Sequence, residues 1–110
     1  MERSPGPHTK KADVTLTLFR PEAEADLDEA YTWYESQRRG LGMEFLEEAS
    51  QLTARIESTP LQFPIVYRDA RRALMHRFPY AYFFRASEEL TLVVTVADLR
   101  REPSHWQRRL

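Results

Sequence analysis

The sequence predicts an α+β fold: a β-α-α-β-β-β chain whose N-terminal strand and antiparallel two-helix hairpin lie with a small, mainly antiparallel sheet, the helices on one face. Three observations lead there. Apolar residues recur at three- and four-residue spacing from 21 to 58, broken once by Gly40 and Gly42. After Pro64 the period falls to two. The turn Ser87-Glu88-Glu89 is short, so the runs it joins pair antiparallel.

Each element has its own signature. Residues 14–20 (VTLTLFR) are β-rich and alternate, which predicts the first strand. Pro21 suits the first turn of a helix, where a missing N–H costs nothing, and Glu22, Glu24 and Asp26 complement its dipole. The helix runs over 21–38 with Ala23, Leu27, Ala30, Tyr31 and Tyr34 as its buried stripe. A second helix reaches Ser58 on a stripe of Phe45, Ala49, Leu52 and Ile56, and Thr59-Pro60 ends it. Residues 65–67 form a short extended piece, and 71–76, 80–86 and 90–98 form strands. On the last strand, Leu92, Val94 and Val96 are expected to face the helices and Thr91, Val93 and Thr95 to point away.

Composition narrows the class. With 42% hydrophobic and 30% charged residues, 110 residues describe one ordinary globular domain over 14–110. Residues 1–13, with Ser4, Pro5, Gly6 and Pro7, are expected to form a disordered extension. The absence of cysteine excludes disulfides and thiolate chemistry. No apolar run approaches the ~20 residues a membrane span needs, and the first residues do not read as a secretory signal. A cytoplasmic protein is the expectation. Charge is uneven: residues 1–59 hold 7 Lys/Arg against 12 Asp/Glu, a net −5, and residues 60–110 hold 9 Arg against 5 Asp/Glu, a net +4. That imbalance fits either a cationic side for a partner or two halves that neutralise each other across the fold.

The stretch HRFPYAYFFR concentrates the question. Phe78, Tyr80, Tyr82 and Phe84 share one parity, and Arg77 and Arg85 fall on the other. If the aromatics face the helices, Arg77 and Arg85 reach the open face, Arg71 joins them, and the three line a cationic groove. The bland alternative pairs each arginine with a helix carboxylate. In RREPSHWQRRL, Arg100, Arg101, Arg108 and Arg109 surround Trp106. Such a segment can hold nucleic acid by phosphate pairing and stacking, but a lone tryptophan more often pins a chain end. His8, His76 and His105 lack ligand spacing, so neither metal nor cofactor is expected. There is no glycine-rich phosphate loop and no serine elbow.

The order AEADLDEAYTWYESQRRGLGMEFLEEASQLTARIESTPLQFPIVYRDARRALMHRFPYAYFFR, followed by LRREPSHW, resembles the RelE/ParE toxins of type II toxin–antitoxin modules, also called plasmid stabilisation proteins. The most specific pieces are the WYE…GLG…FL hairpin, the FP…RR…FPYAYFF block and the RREP..W ending. Asp98 departs from the pattern, since many relatives carry histidine there. The RelE-like branch consists of ribosome-dependent mRNA endoribonucleases, and its catalytic set is largely missing. No lysine follows Lys11, Ala81 holds the strand arginine's position, Gln107 holds the tyrosine's, and Arg101 alone fits. The long hairpin looks ParE-like, the branch that inhibits DNA gyrase by binding.

The resemblance therefore implies a ParE-like bacterial toxin neutralised by a cognate antitoxin in a hetero-oligomer. A RelE-like nuclease using Arg77, Arg85 and Arg101, with the ribosome and mRNA as partners, is the alternative. A degenerate non-toxic binding partner is a further one. Expected target- or antitoxin-binding residues are Arg71, Arg72, Arg77 and Arg85 on the strands, with Arg100, Arg101 and Trp106 in the tail. No catalytic residue is implied for the ParE-like reading.

Overall fold

Pro21 and Gly40 set the helical half of the molecule. The computed structural model describes residues 16–110, so the expected extension over 1–13 lies outside the described residues. Strand β1 spans Leu16–Phe19, and the extended Arg20 leads directly into α1, Pro21–Gln37, with Pro21 at its start and Glu22 and Glu24 in its first turn. Gly40 turns the chain at φ 89°, a conformation that glycine adopts without strain, and α2 follows over Leu41–Ser58. The Glu35 carboxylate reaches over this turn. It accepts the N–H of Gly40 at 3.0 Å and of Gly42 at 3.0 Å, satisfying donors that the start of α2 would otherwise leave open. At Gly42 the helices touch: a Cβ there would lie 2.7 Å from the Tyr31 ring.

A single 3-10 turn at Pro60–Gln62 leads to β2 (Ile65–Tyr67), β3 (Ala70–Leu74), β4 (Tyr80–Ala86) and β5 (Leu90–Asp98), and α3 (Ser104–Gln107) follows. The five strands form one sheet in the order β1-β5-β4-β3-β2, with β1 parallel to β5 and every other pair antiparallel. The extended piece at 65–67 is thus a full edge strand. The strand expected over 71–76 stops at Leu74. His76 and Arg77 instead form a loop whose N–H groups both donate to the Glu48 carboxylate on α2.

The aromatic parity of β4 does face the helices. Phe78, Tyr82 and Phe84 are buried there with Tyr34 and Phe45, and Tyr80 packs against them. Ring centroids lie 4.8 Å apart for Tyr34–Phe78 and 5.2 Å for Phe45–Phe78, both edge-on, a geometry worth about 1 kcal/mol per pair beyond area burial. The Tyr82 hydroxyl donates to the Ala49 carbonyl at 3.0 Å and lies 3.1 Å from the Thr53 hydroxyl. The predicted α2 stripe, Phe45, Ala49, Leu52 and Ile56, is buried throughout.

The facing expected for β5 is corrected. Phe83 pairs with Thr95 but Phe84 pairs with Val93, so the register slips by one residue at Val94. The bulge flips the alternation. Val93 and Val96 both join the helix-side core, whereas Leu92, opposite Arg85, takes the other face. That other face is not bare. Ala81, Phe83, Ala97 and Trp106 form a second small core, with Val66, Tyr67 and Leu110 packed around it.

Candidate functional site: a cleft between the first helix and the C-terminal segment

β1 pairs only with Leu90 to Val93, so the second half of β5 has α1 and the C-terminal segment beside it. A cleft of about 320 Å³ opens there, walled by Asp26, Ala30 and Trp33 of α1, by Thr95 to Asp98 of β5, and by Tyr80, Arg100, Arg101 and His105. The bulge governs its floor. Asp26 accepts the Val96 N–H at 2.9 Å and the Thr95 hydroxyl at 3.1 Å. Arg109 closes the same carboxylate from the far end of the chain, with Nη1 2.5 Å from Oδ2 and Nη2 3.1 Å from Oδ1, and Nη1 also donates to Thr95. This two-pronged contact latches the C-terminal segment to α1.

At the mouth, Arg100 grips Asp98 through Nε at 2.9 Å and Nη2 at 2.7 Å, and its guanidinium lies 5.9 Å from the Trp33 ring. The Arg100 hydrogen bonds hold the Asp98 carboxyl below the usual carboxylate range. Burial pushes the Tyr80 hydroxyl up, with Asp98 adding to the shift. Trp33 is 48% exposed. Arg101 Nη1 lies 2.9 Å from His105 Nε2 and has no carboxylate partner among the described residues. The cleft therefore combines an exposed indole, a phenol and the Arg101 guanidinium, with the Glu29 carboxylate also in its wall.

The arginines expected to line one groove do not converge. Arg71 turns to the helix side and donates to the Leu61 and Phe63 carbonyls at 3.3 and 2.7 Å. Arg72 lies opposite Phe83 on the other face, and its Nε is buried without a hydrogen-bond partner among the described residues. Arg77 pairs with Glu44 at 2.7 Å, and Arg85 pairs with Asp69 at 2.9 Å and donates to the Leu110 carbonyl at 2.6 Å. Each of Arg71, Arg77 and Arg85 is held by an acceptor of its own, so the shared cationic groove is corrected to separate anchors. β4 begins only at Tyr80, so Arg77 lies in the loop before it and does not keep the parity that predicted the groove.

Arg100 and Arg101 alone of the expected residues reach the cleft. Trp106 is 9% exposed and stacks on Phe83 at 4.0 Å and 14°, with Tyr67 edge-on at 5.9 Å, so it pins the chain end and offers no ring face to a base. Asp26, Trp33, Thr95, His105 and Arg109 also line the cleft; none is among the expected binding residues, and Arg109 entered only as part of the basic tail. Asp26 and Arg109 stand 83 positions apart, and neither has a local signal that pairs them.

Among the described residues no helix is long and apolar enough to cross a membrane, and no group of three or more His, Asp or Glu could hold a metal ion. The sequence matches no protein-family profile and no curated protein. The architecture does have a solved counterpart: a chain of the chromosomal ParDE TA system from P. aeruginosa superposes with a TM-score of 0.70. The match covers 80% of this chain and 98% of that one at 16% identity. The two chains share an α+β fold in which a strand and a helical hairpin precede the remaining strands of a mixed sheet.

Proposed function

We propose that this chain is the toxin of a type II toxin–antitoxin module, of ParE-like type, that works in the cytoplasm by binding DNA gyrase and is neutralised by a cognate antitoxin. The toxin assignment is supported by the fold it shares with a chain of a ParDE system, together with the hairpin and tail motifs. Binding in place of catalysis is supported by the sheet face opposite the helices. Cleavage of RNA through a 2′-hydroxyl needs cations at the scissile phosphate and proton carriers within hydrogen-bond reach. On that face Ala81 and Ala97 cluster with the Trp106–Phe83 stack, Arg85 is taken up by Asp69 and the Leu110 carbonyl, and Arg77 pairs with Glu44 on the helix side. The apolar stack where a nuclease needs converging polar groups is the observation that carries this reading.

Purified chain added to gyrase and relaxed plasmid is expected to slow supercoiling and accumulate cleavage complexes. An unchanged supercoiling rate at saturating chain, with no trapped complexes, defeats the gyrase assignment. The antitoxin contribution suits an acidic, ring-bearing segment seated in the cleft at Trp33 and Arg101. Its association rate should then fall as salt rises.

The Arg101–His105 contact favours a second reading, ribosome-dependent mRNA cleavage, because it sets a guanidinium beside a group able to carry a proton. Primer extension on translated messages after induction decides it. Discrete cuts that vanish in Arg101→Ala establish the nuclease, and intact messages under growth arrest exclude it.

A further inference from the structure

Edge strands of soluble proteins are ordinarily blunted by charge, proline or bulges, because their unpaired N–H and C=O groups template pairing with another chain. The two edges of this sheet differ in that respect. β2 is three residues long, its pairing with β3 is irregular between Ile65 and Tyr67, and Arg68 follows it. β1 is regular and uncharged, and its leucines are open: Leu16 is 62% and Leu18 47% exposed. They pair with Leu90 and Leu92, so four leucines share one patch.

The hydrogen-bond phase of β1 fixes what its edge can accept. Leu16 N donates to Glu89 O and Arg20 N to Val93 O, so the even-numbered residues turn their backbone polar groups toward β5. Thr17 and Phe19 therefore turn theirs outward, where no described residue meets them. Arg20 and the Glu88-Glu89 turn flank opposite ends of this edge, and neither has a side-chain partner among the described residues.

We infer that a second copy of this chain docks here, β1 against β1 antiparallel, joining two sheets into one across a two-fold axis. Centred on Leu18, the pairing sets Thr17 opposite Phe19 of the partner subunit and the reverse. Both pairs are the hydrogen-bonded kind, giving four backbone bonds, and the two Leu18 side chains meet at the axis in a close, non-hydrogen-bonded pair. The same symmetry carries Arg20 of each copy past Leu16 toward the other copy's Glu88-Glu89 turn. That gap spans two strand spacings, about 10 Å, within the combined reach of the two side chains. The edge is thus self-complementary in backbone, apolar surface and charge at a single register. A four-residue strand pair makes a small interface, so association is expected to be weak and concentration-dependent. The inference stands independently of the toxin reading.

Sedimentation velocity on the full chain tests it. The weight-average mass should rise from 13.0 kDa toward twice that value between low-micromolar and submillimolar protein. Leu18→Lys, a change at a half-exposed position that puts like charges on the axis, should hold the chain monomeric with an unchanged circular dichroism spectrum. Arg20→Glu should weaken association, and Glu88→Arg with Glu89→Arg in the same chain should restore it. Because the native sequence has no cysteine, Leu18→Cys also reports the register. Under oxidised glutathione it should give a disulfide-linked dimer faster than Met43→Cys, a control exposed on α2. A chain monomeric throughout the range, a dimer indifferent to Leu18→Lys, or equal cross-linking at the two cysteine positions overturns the inference.

Discussion

Tyr82 carries a hydroxyl into the helix-side core, where it is fully buried and bonded to Ala49 and Thr53. Burial raises its pKa above the ordinary 10.0. A group with a raised folded-state value gives stability that is whole below its unfolded value and is lost as pH climbs through the folded one. Tyr82→Phe should therefore cost about 1 kcal/mol at neutral pH from the lost hydrogen bonds. The gap between variant and parent should narrow as pH rises past about 10, as read by urea unfolding across that range. A gap constant with pH would show that the phenol does not titrate with folding. The two tryptophans separate just as cleanly. Trp106→Ala empties the second core and should lose about 3 kcal/mol or more. Trp33→Ala, at a half-exposed position in the cleft, should lose under about 1 kcal/mol and, under the proposed function, should weaken antitoxin capture, measured by calorimetry.

At the scale of elements, the helical hairpin depends on two glycines for different reasons. At Gly40 there is room for a side chain but φ is 89°, so Gly40→Ala pays only backbone strain, about 1 kcal/mol. At Gly42 the backbone is ordinary but Tyr31 blocks the space, and its carbonyl oxygen at 2.8 Å cannot swing aside as a flexible side chain could. Gly42→Ala should force the helices apart and cost about 2–3 kcal/mol. Thermal melts of the two variants decide the order, and a larger loss at Gly40 would contradict it. The hairpin was legible in the sequence because its signals are local: Pro21, the two glycines and Thr59-Pro60 stand at the boundaries themselves. The last two strands were legible for the same reason. The bulge in β5 was not, since Val93 and Val94 have the same preference for a pleated buried surface and only pairing with β4 chooses between them. The cleft was hidden by the same kind of distance, because its floor depends on that bulge and its wall on Asp26 meeting Arg109.

Across the whole molecule, the acidic and arginine-rich halves interlock more than they oppose. Asp26 meets Arg109 and Glu44 meets Arg77, each pair joining the N-terminal half to the C-terminal half. The pairs differ in surroundings, and so should their worth. Arg77 and Glu44 keep 60% and 33% of their side-chain surface, so solvent screening leaves that pair worth little. Asp26 keeps 13% and also satisfies the Val96 N–H, so breaking the latch strands a carboxylate and loosens the C-terminal segment. Arg109→Ala should cost about 1–3 kcal/mol, or a fall in melting temperature of about 4 °C per kcal/mol. Arg77→Ala should barely move the melt. Arg101→Ala, which removes a guanidinium with no carboxylate partner among the described residues, should barely move the melt and, under the proposed function, should reduce growth arrest on induction. Melting curves read beside growth curves sort the three arginines into an exposed pair, a fold-holding latch and a binding group. Equal falls in melting temperature for Arg77→Ala and Arg109→Ala would show the two pairs to be equivalent and remove the latch from the argument.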